Sequence, residues 1–265
     1  MNVYLRELRA YRKSTITWVI SLAGIVGLFM MLYPAFESDV EGLNEVLANF
    51  PQAIKSLVNI TPETFLSVLG FYGYLLNFAW LAASIQAMNL GVGVISKEVA
   101  GKTADFLITR PVRRAQVVTA KLAAALTVVL ITSAVFTAVS YLAVVATGAS
   151  LDEATLLLMA STLLLLQIVF LALGALFSVT IPKIKSVVAV SLPTVFAFYI
   201  IGAIGDVLEN VELRWVSPFR YFDPAYMIGE GALESEYLLV IAVFTVAAIA
   251  ATYVIFAKKD IHTAI

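Results

Sequence analysis

Cysteine is absent from the 265 residues, and a single histidine, His262, stands near the C-terminus. Disulfides, thiolate metal sites and cysteine nucleophiles are therefore excluded, as is chemistry built on several histidines. Charge is scarce as well. Only 13% of the residues are Asp, Glu, Lys or Arg, about half the share of a soluble domain. The net charge of -1 offers no basic excess for nucleic acid. Sustained polar–apolar alternation is missing, which excludes a porin-like barrel. What is present is apolar: 61% hydrophobic residues and a mean hydropathy of +0.95. These residues come in long runs, the composition of a helical integral membrane protein.

A spanning helix takes about 20 apolar residues. Six runs qualify: 16–36, 65–95, 115–147, 154–181, 186–205 and 237–257. None holds an interior Asp, Glu or Arg. Lys121 lies one to two turns inside the third run, where its long side chain is expected to snorkel back to the interface. Arg6, Arg9, Arg12 and Lys13 precede the first run and place the N-terminus inside. With six crossings, all of the 17 Lys and Arg except Lys55, Arg214 and Arg220 fall inside. The expected fold is an all-α membrane protein with both termini cytoplasmic, a single transmembrane domain over 1–265. Segments 37–64 and 206–236 lie outside. Residues 1–14 read as an interfacial amphipathic helix, with Tyr4, Leu8 and Tyr11 on one face and the basic residues on the other.

The inside loop 97–114 is the most informative stretch. Gly101 suits the end of the second span. Thr103 suits the cap of a new short helix, with Asp105 near its N-terminus. Phe106, Leu107 and Ile108 are apolar in a charged loop, and Pro111 stops the helix. Those three side chains need lipid or a protein groove to cover them.

The run Glu98, Gly101, Lys102, Thr103, Asp105, Phe106, Leu107, Ile108, Thr109, Arg110, Pro111, Val112 and Arg114, with Lys121 following, resembles the cytoplasmic loop of ABC-2 type transporter permeases. Lys102 departs from that pattern by standing between Gly101 and Thr103. The segment Trp215–Pro224, before the last span, and Phe256–Asp260, after it, resemble the same family. The subgroup most alike has small stand-alone permeases without a fused ATPase. The resemblance implies a multi-pass protein of a prokaryotic cell membrane, most often an exporter. It further implies that 97–114 forms a coupling helix docking on a cytoplasmic ATP-binding subunit. Two such subunits would work with this chain and a second permease copy or paralogue. Glu98, Gly101, Lys102, Thr103, Asp105, Phe106, Leu107, Ile108, Pro111 and Arg114 are the expected docking residues.

The residues themselves agree with that division of labour. Gly101, Lys102 and Thr103 resemble the end of a phosphate-binding loop, but Ser96 occupies the place of its first glycine and no strand precedes it. ATP and Mg are therefore expected in the partner, with no cofactor, metal or catalytic site in this chain. No acid or histidine sits inside a span to relay protons. The alternative is an ATP-independent secondary transporter or channel. The uncharged spans suggest a hydrophobic or amphipathic cargo.

Within the spans, Asn77, Gln86, Asn89 and Gln167 are polar. Such amides either line a path or hold helices together. With Phe71, Tyr74 and Phe78 they form a candidate substrate path or dimer seam. Gly70, Gly73, Asn77 and Ser84 are small enough to let another helix approach closely. Pro193 is expected to kink the fifth span. Trp215, Phe219, Tyr221, Phe222 and Tyr226 read as interfacial anchors.

Overall fold

The computed structural model describes residues 3–38, 67–100, 114–182, 184–208 and 211–258. No strand occurs among them. Six helices are long and apolar enough to cross a membrane. They are α1 (Val3–Ser38), α2 (Val68–Ala100), α3 (Arg114–Val145), α4 (Glu153–Thr180), α5 (Val187–Val207) and α8 (Ser235–Lys258). Two short helices, α6 (Val211–Val216) and α7 (Pro224–Glu230), and a 3-10 turn at Pro218–Arg220 lie between α5 and α8. Of the expected coupling helix at 97–114, residues 101–113 lie outside the described residues, as do residues 39–64 of the outer segment 37–64.

The first helix differs from the expectation. An interfacial helix at 1–14 was to precede a separate span at 16–36, but α1 runs unbroken through both. Neither Gly nor Pro interrupts residues 10–20. Thr15 and Thr17 turn their hydroxyls onto the carbonyls of Tyr11 (2.9 Å) and Lys13 (3.1 Å), four residues back, and so keep to the helix. At 1.5 Å per residue, α1 is about 54 Å long, well beyond a hydrocarbon core of about 30 Å.

Helix ends follow local chemistry. Asp152 caps α4 through the backbone N–H groups of Ala154 (3.1 Å) and Thr155 (3.4 Å). The Thr155 hydroxyl also donates to Asp152 Oδ2 at 2.7 Å. Together these donors hold the Asp152 carboxyl below its ordinary pKa, the Thr155 hydroxyl contributing most. Pro182 follows the end of α4, and Ser186 caps α5. Asp223 caps α7 with Pro224 in its first turn, and Gly231 ends it at φ 62°, a conformation open to glycine. Pro193 lies within α5 as expected, and the helix continues through it.

Helices α2 and α4 form the buried centre, while α1, α5 and α8 are largely exposed along their lengths. That is a membrane arrangement, with apolar residues covering the outside: Ile20, Leu28 and Met31 on α1, Ile200 on α5 and Leu239 on α8 are all exposed. The backbones of α2 and α4 come close together at Gly91 and Gly174. A Cβ on Gly174 would lie 2.8 Å from Met88 O and Val92 N and 3.0 Å from Gly91 Cα. The sequence placed its small-residue contact higher on α2. There Gly73 instead takes Pro224 of α7, whose Cβ would be 2.7 Å from an added methyl. Below the Gly91–Gly174 contact, Val94, Ile95, Val118 and Val179 form an apolar cluster separate from the main core. Tyr253, Ile255 and Phe256 of α8 pack on it.

Candidate functional site

The residues singled out in the sequence fall into three places. The first is the loop between α2 and α3. Gly101, Lys102, Thr103, Asp105, Phe106, Leu107, Ile108 and Pro111 lie outside the described residues. Glu98 is in the last turn of α2 and Arg114 opens α3, so both stand at the roots of the loop. Those roots are closely braced. Lys121, only 2% exposed, donates to Val94 O at 2.9 Å and faces Glu7 Oε1 at 3.5 Å. Its expected snorkelling is thus corrected: the ammonium turns inward, because a carboxylate and a helix carbonyl replace its water. Tyr4 and Thr127 hydroxyls bond at 3.0 Å, and Thr119 and Tyr253 at 2.7 Å. Ser96 donates to Val92 O at 2.5 Å.

Glu7 is a residue that the sequence reading did not single out. It is buried against α3. The signal was present: Glu7 stands three residues after Tyr4 and four before Tyr11, on the packed face of the helix.

The second place is a polar bond across the buried centre. Gln167 on α4 donates through Nε2 to Gln86 Oε1 on α2 at 3.1 Å. Ser133 on α3 donates to Gln167 Oε1 at 2.7 Å. Thr132 lies 3.5 Å from Gln167 Nε2. Three helices are thereby joined by side-chain amides and hydroxyls in a region without water to compete. Gln86 Nε2 and Asn89 Oδ1 are buried without a hydrogen-bond partner among the described residues. Asn77 turns back to Gly73 O of its own helix at 3.4 Å. Trp80 Nε1 donates to Thr162 Oγ1 at 3.0 Å, a further α2–α4 tie that the sequence did not reveal.

The third place is an aromatic seam between α1 and α2. Phe29 lies 5.7 Å from Tyr74 and 5.3 Å from Phe78, ring centre to ring centre. Tyr33 and Phe36 lie 5.5 and 5.4 Å from Phe71. Tilted rings at these separations gain from edge-to-face attraction. Phe71 is buried, but Tyr74, Phe78, Ile85 and Asn89 are partly exposed along one stripe of α2. The seven candidate residues therefore divide. Phe71, Asn77, Gln86 and Gln167 face the packed interior, and Tyr74, Phe78 and Asn89 face the open stripe.

The segment before α8 is more than a belt of interfacial aromatics. Phe219, Tyr221 and Phe222 are buried, whereas Trp215 and Tyr226 are exposed. Phe219 packs on Phe170 of α4 at 5.3 Å, and Phe222 on Trp80 of α2 at 6.0 Å. Tyr221 donates its hydroxyl to Trp215 O at 2.7 Å, and burial raises its pKa. Arg214 pairs with Glu234 and sits 4.6 Å over the Tyr237 ring, and Arg220 pairs with Asp206. The segment is a packed cap seated into the end of the bundle opposite the N-terminus.

No group of His, Asp and Glu able to hold a metal occurs among the described residues. No curated protein matches the chain. The profile of the family described as "ABC-2 family transporter protein" matches residues 1–261, nearly the whole length. Six apolar helices and that match make this chain a multi-pass membrane permease component, and it belongs to the ABC-2 transporter family.

Proposed function

We propose that the chain is the permease subunit of an ATP-driven exporter and takes its energy from a separate ATP-binding subunit docked on 97–114. The braced roots of that loop carry the reading. Lys121, Val94, Thr119 and Tyr253 tie both ends of the loop to the bundle, so a force applied there reaches the helices rather than being lost in slack chain. The loop supplies Phe106, Leu107 and Ile108 as buried contact area, with Glu98, Lys102 and Asp105 setting register at the rim. ATP and Mg bind in the partner, two copies of which serve two permease chains. The basic end of the bundle faces the cytoplasm by the positive-inside rule.

Cargo moves along the partly exposed stripe of α2, past Tyr74, Phe78 and Asn89, under the cap at 211–230. An apolar and aromatic wall with few amides suits a hydrophobic or amphipathic molecule. The test is co-purification in detergent with the cognate ATP-binding subunit, with ATPase activity read alongside. The Phe106→Asp/Leu107→Asp variant should remain folded and lose the partner. An unchanged complex would refute docking through this loop. Failure of the native chain to bind any ATP-binding subunit would favour an ATP-independent transporter or channel.

A further inference from the structure

We propose that Glu7 and Lys121 are positioning residues that carry movement of the 97–114 loop to α1, and through α1 to the stripe along which cargo passes. This rests on the reading of the loop as the docking element.

Lys121 lies seven residues into α3 from Arg114, about 10 Å along the helix. Val94, whose carbonyl it holds at 2.9 Å, lies six residues before the end of α2. One ammonium group thus touches both helices that bear the loop and, at 3.5 Å, the Glu7 carboxylate of α1. The roots move as a unit because Val94, Ile95, Val118 and Val179 form an apolar cluster separate from the main core. Apolar contacts in such a unit can slide by fractions of a turn. A buried ammonium cannot leave its carboxylate and carbonyl without stranding charge away from water, so it fixes register.

Helix α1 is suited to receive that displacement. It is a peripheral helix with most of its length exposed. At its N-terminal end it is fastened to α3 by Glu7–Lys121 and by Tyr4–Thr127. Further along, Phe29 and Tyr33 lie on Phe71, Tyr74 and Phe78 of α2. A shift of the fastened end moves Phe29 on those rings, and the partly exposed stripe of Tyr74, Phe78, Ile85 and Asn89 opens or closes with it. The energy for the change comes from the partner, while the ion pair supplies direction.

The chain has no cysteine, so one introduced thiol reports on one place. Ile85→Cys puts it on the stripe, clear of the aromatic rings. The rate of reaction with a water-soluble maleimide is measured in the complex with the ATP-binding subunit, before and after trapping with ATP and vanadate. The rate should change on trapping in the otherwise native chain. Lys121→Met and the milder Glu7→Gln should keep the complex and lose the change. Lys121→Arg, which keeps a charged donor for both Glu7 and Val94 O, should retain it, so that the change follows the charged donor and not the bulk of the side chain.

An ATP-dependent change persisting in both single variants overturns the proposal and leaves loop docking intact. So does a Lys121→Arg variant that binds the partner and loses the change as Lys121→Met does. If the native chain forms no complex, the docking reading falls and this proposal falls with it.

Discussion

Replacing Gly174 by alanine should force α2 and α4 apart. The new Cβ would stand 2.8 Å from Met88 O and Val92 N and 3.0 Å from Gly91 Cα. Carbon atoms in good contact lie about 3.5–4.0 Å apart, so the helices must separate by roughly half an ångström or more. The obstructing atoms are backbone, which no rotamer change can remove. Overpacking of this kind costs about 1–3 kcal/mol, and alanine returns about 0.8–1 kcal/mol of helix propensity over glycine. The net expectation is a loss of up to about 2 kcal/mol. Gly27→Ala is the control, because its Cβ would meet nothing within 4 Å. There only the propensity gain remains, up to about 1 kcal/mol of added stability. Gly174→Ala should therefore be less stable than Gly27→Ala by roughly 1–3 kcal/mol, the overpacking cost alone, because the propensity gain is common to both. Unfolding in mixed detergent micelles, followed by helical circular dichroism as denaturing detergent is raised, measures both. Gly174→Ala as stable as Gly27→Ala would refute the close crossing. Gly91→Ala should behave like Gly174→Ala, since its Cβ would meet Ala175 N at 2.8 Å and Gly174 Cα at 2.9 Å.

Other expectations follow from the polar groups. A double-mutant cycle of Gln86→Leu and Gln167→Leu should give a coupling of about 0.6–1.7 kcal/mol, the range of hydrogen bonds between membrane helices. Additive effects in the same unfolding assay would show that the 3.1 Å contact contributes nothing. Gly202→Ala should weaken the cap, because its Cβ would lie 2.6 Å from the Ser217 hydroxyl, which now donates to Phe198 O at 2.8 Å. The side chain can rotate away at the cost of that bond, so a loss of about 0.5–1.5 kcal/mol is expected. Ser217→Ala should then lessen the cost of Gly202→Ala, leaving the contacts with Arg220 Cγ at 3.1 Å and the residue 217 Cβ at 3.2 Å. Asp152 has a depressed pKa in the folded chain, so its capping contribution is full above the unfolded value of about 3.9. It is lost as pH falls through the lower folded value. Asp152→Asn should cap α4 without that acid sensitivity. Thermal unfolding of native chain and variant between pH 3 and 6 compares them, and parallel pH profiles would refute the assignment.

The six helices were legible because the bilayer leaves little choice. A run of 20 apolar residues has to satisfy its own backbone hydrogen bonds, and a helix does so within one segment. Basic residues were legible as a group for an equally simple reason, since their asymmetry follows position along the chain. The loop residues from Glu98 to Arg114 stood out because apolar side chains among charges need a partner. Glu7 was passed over because charge was read by segment. Its position between Tyr4 and Tyr11 told more about its surroundings than its charge did.

Which helix touches which is not written in hydropathy, because every span is similarly apolar and lipid is as apolar as protein. Tertiary structure decided that Gly91 and Gly174, far apart in sequence, meet where two backbones cross. It put Gly73 against Pro224 instead of against another span. It turned Lys121 inward to Val94 and Glu7, since three helices converge there and offer more than the interface does. It joined Gln86, Gln167 and Ser133 across the centre and buried Phe219, Tyr221 and Phe222 in the cap. The sequence by itself determined the class of protein and its crossings, through local transfer energies that each segment satisfies alone. Packing partners depend on shape and hydrogen-bond complementarity between segments, and only the assembled bundle supplies both sides of each contact.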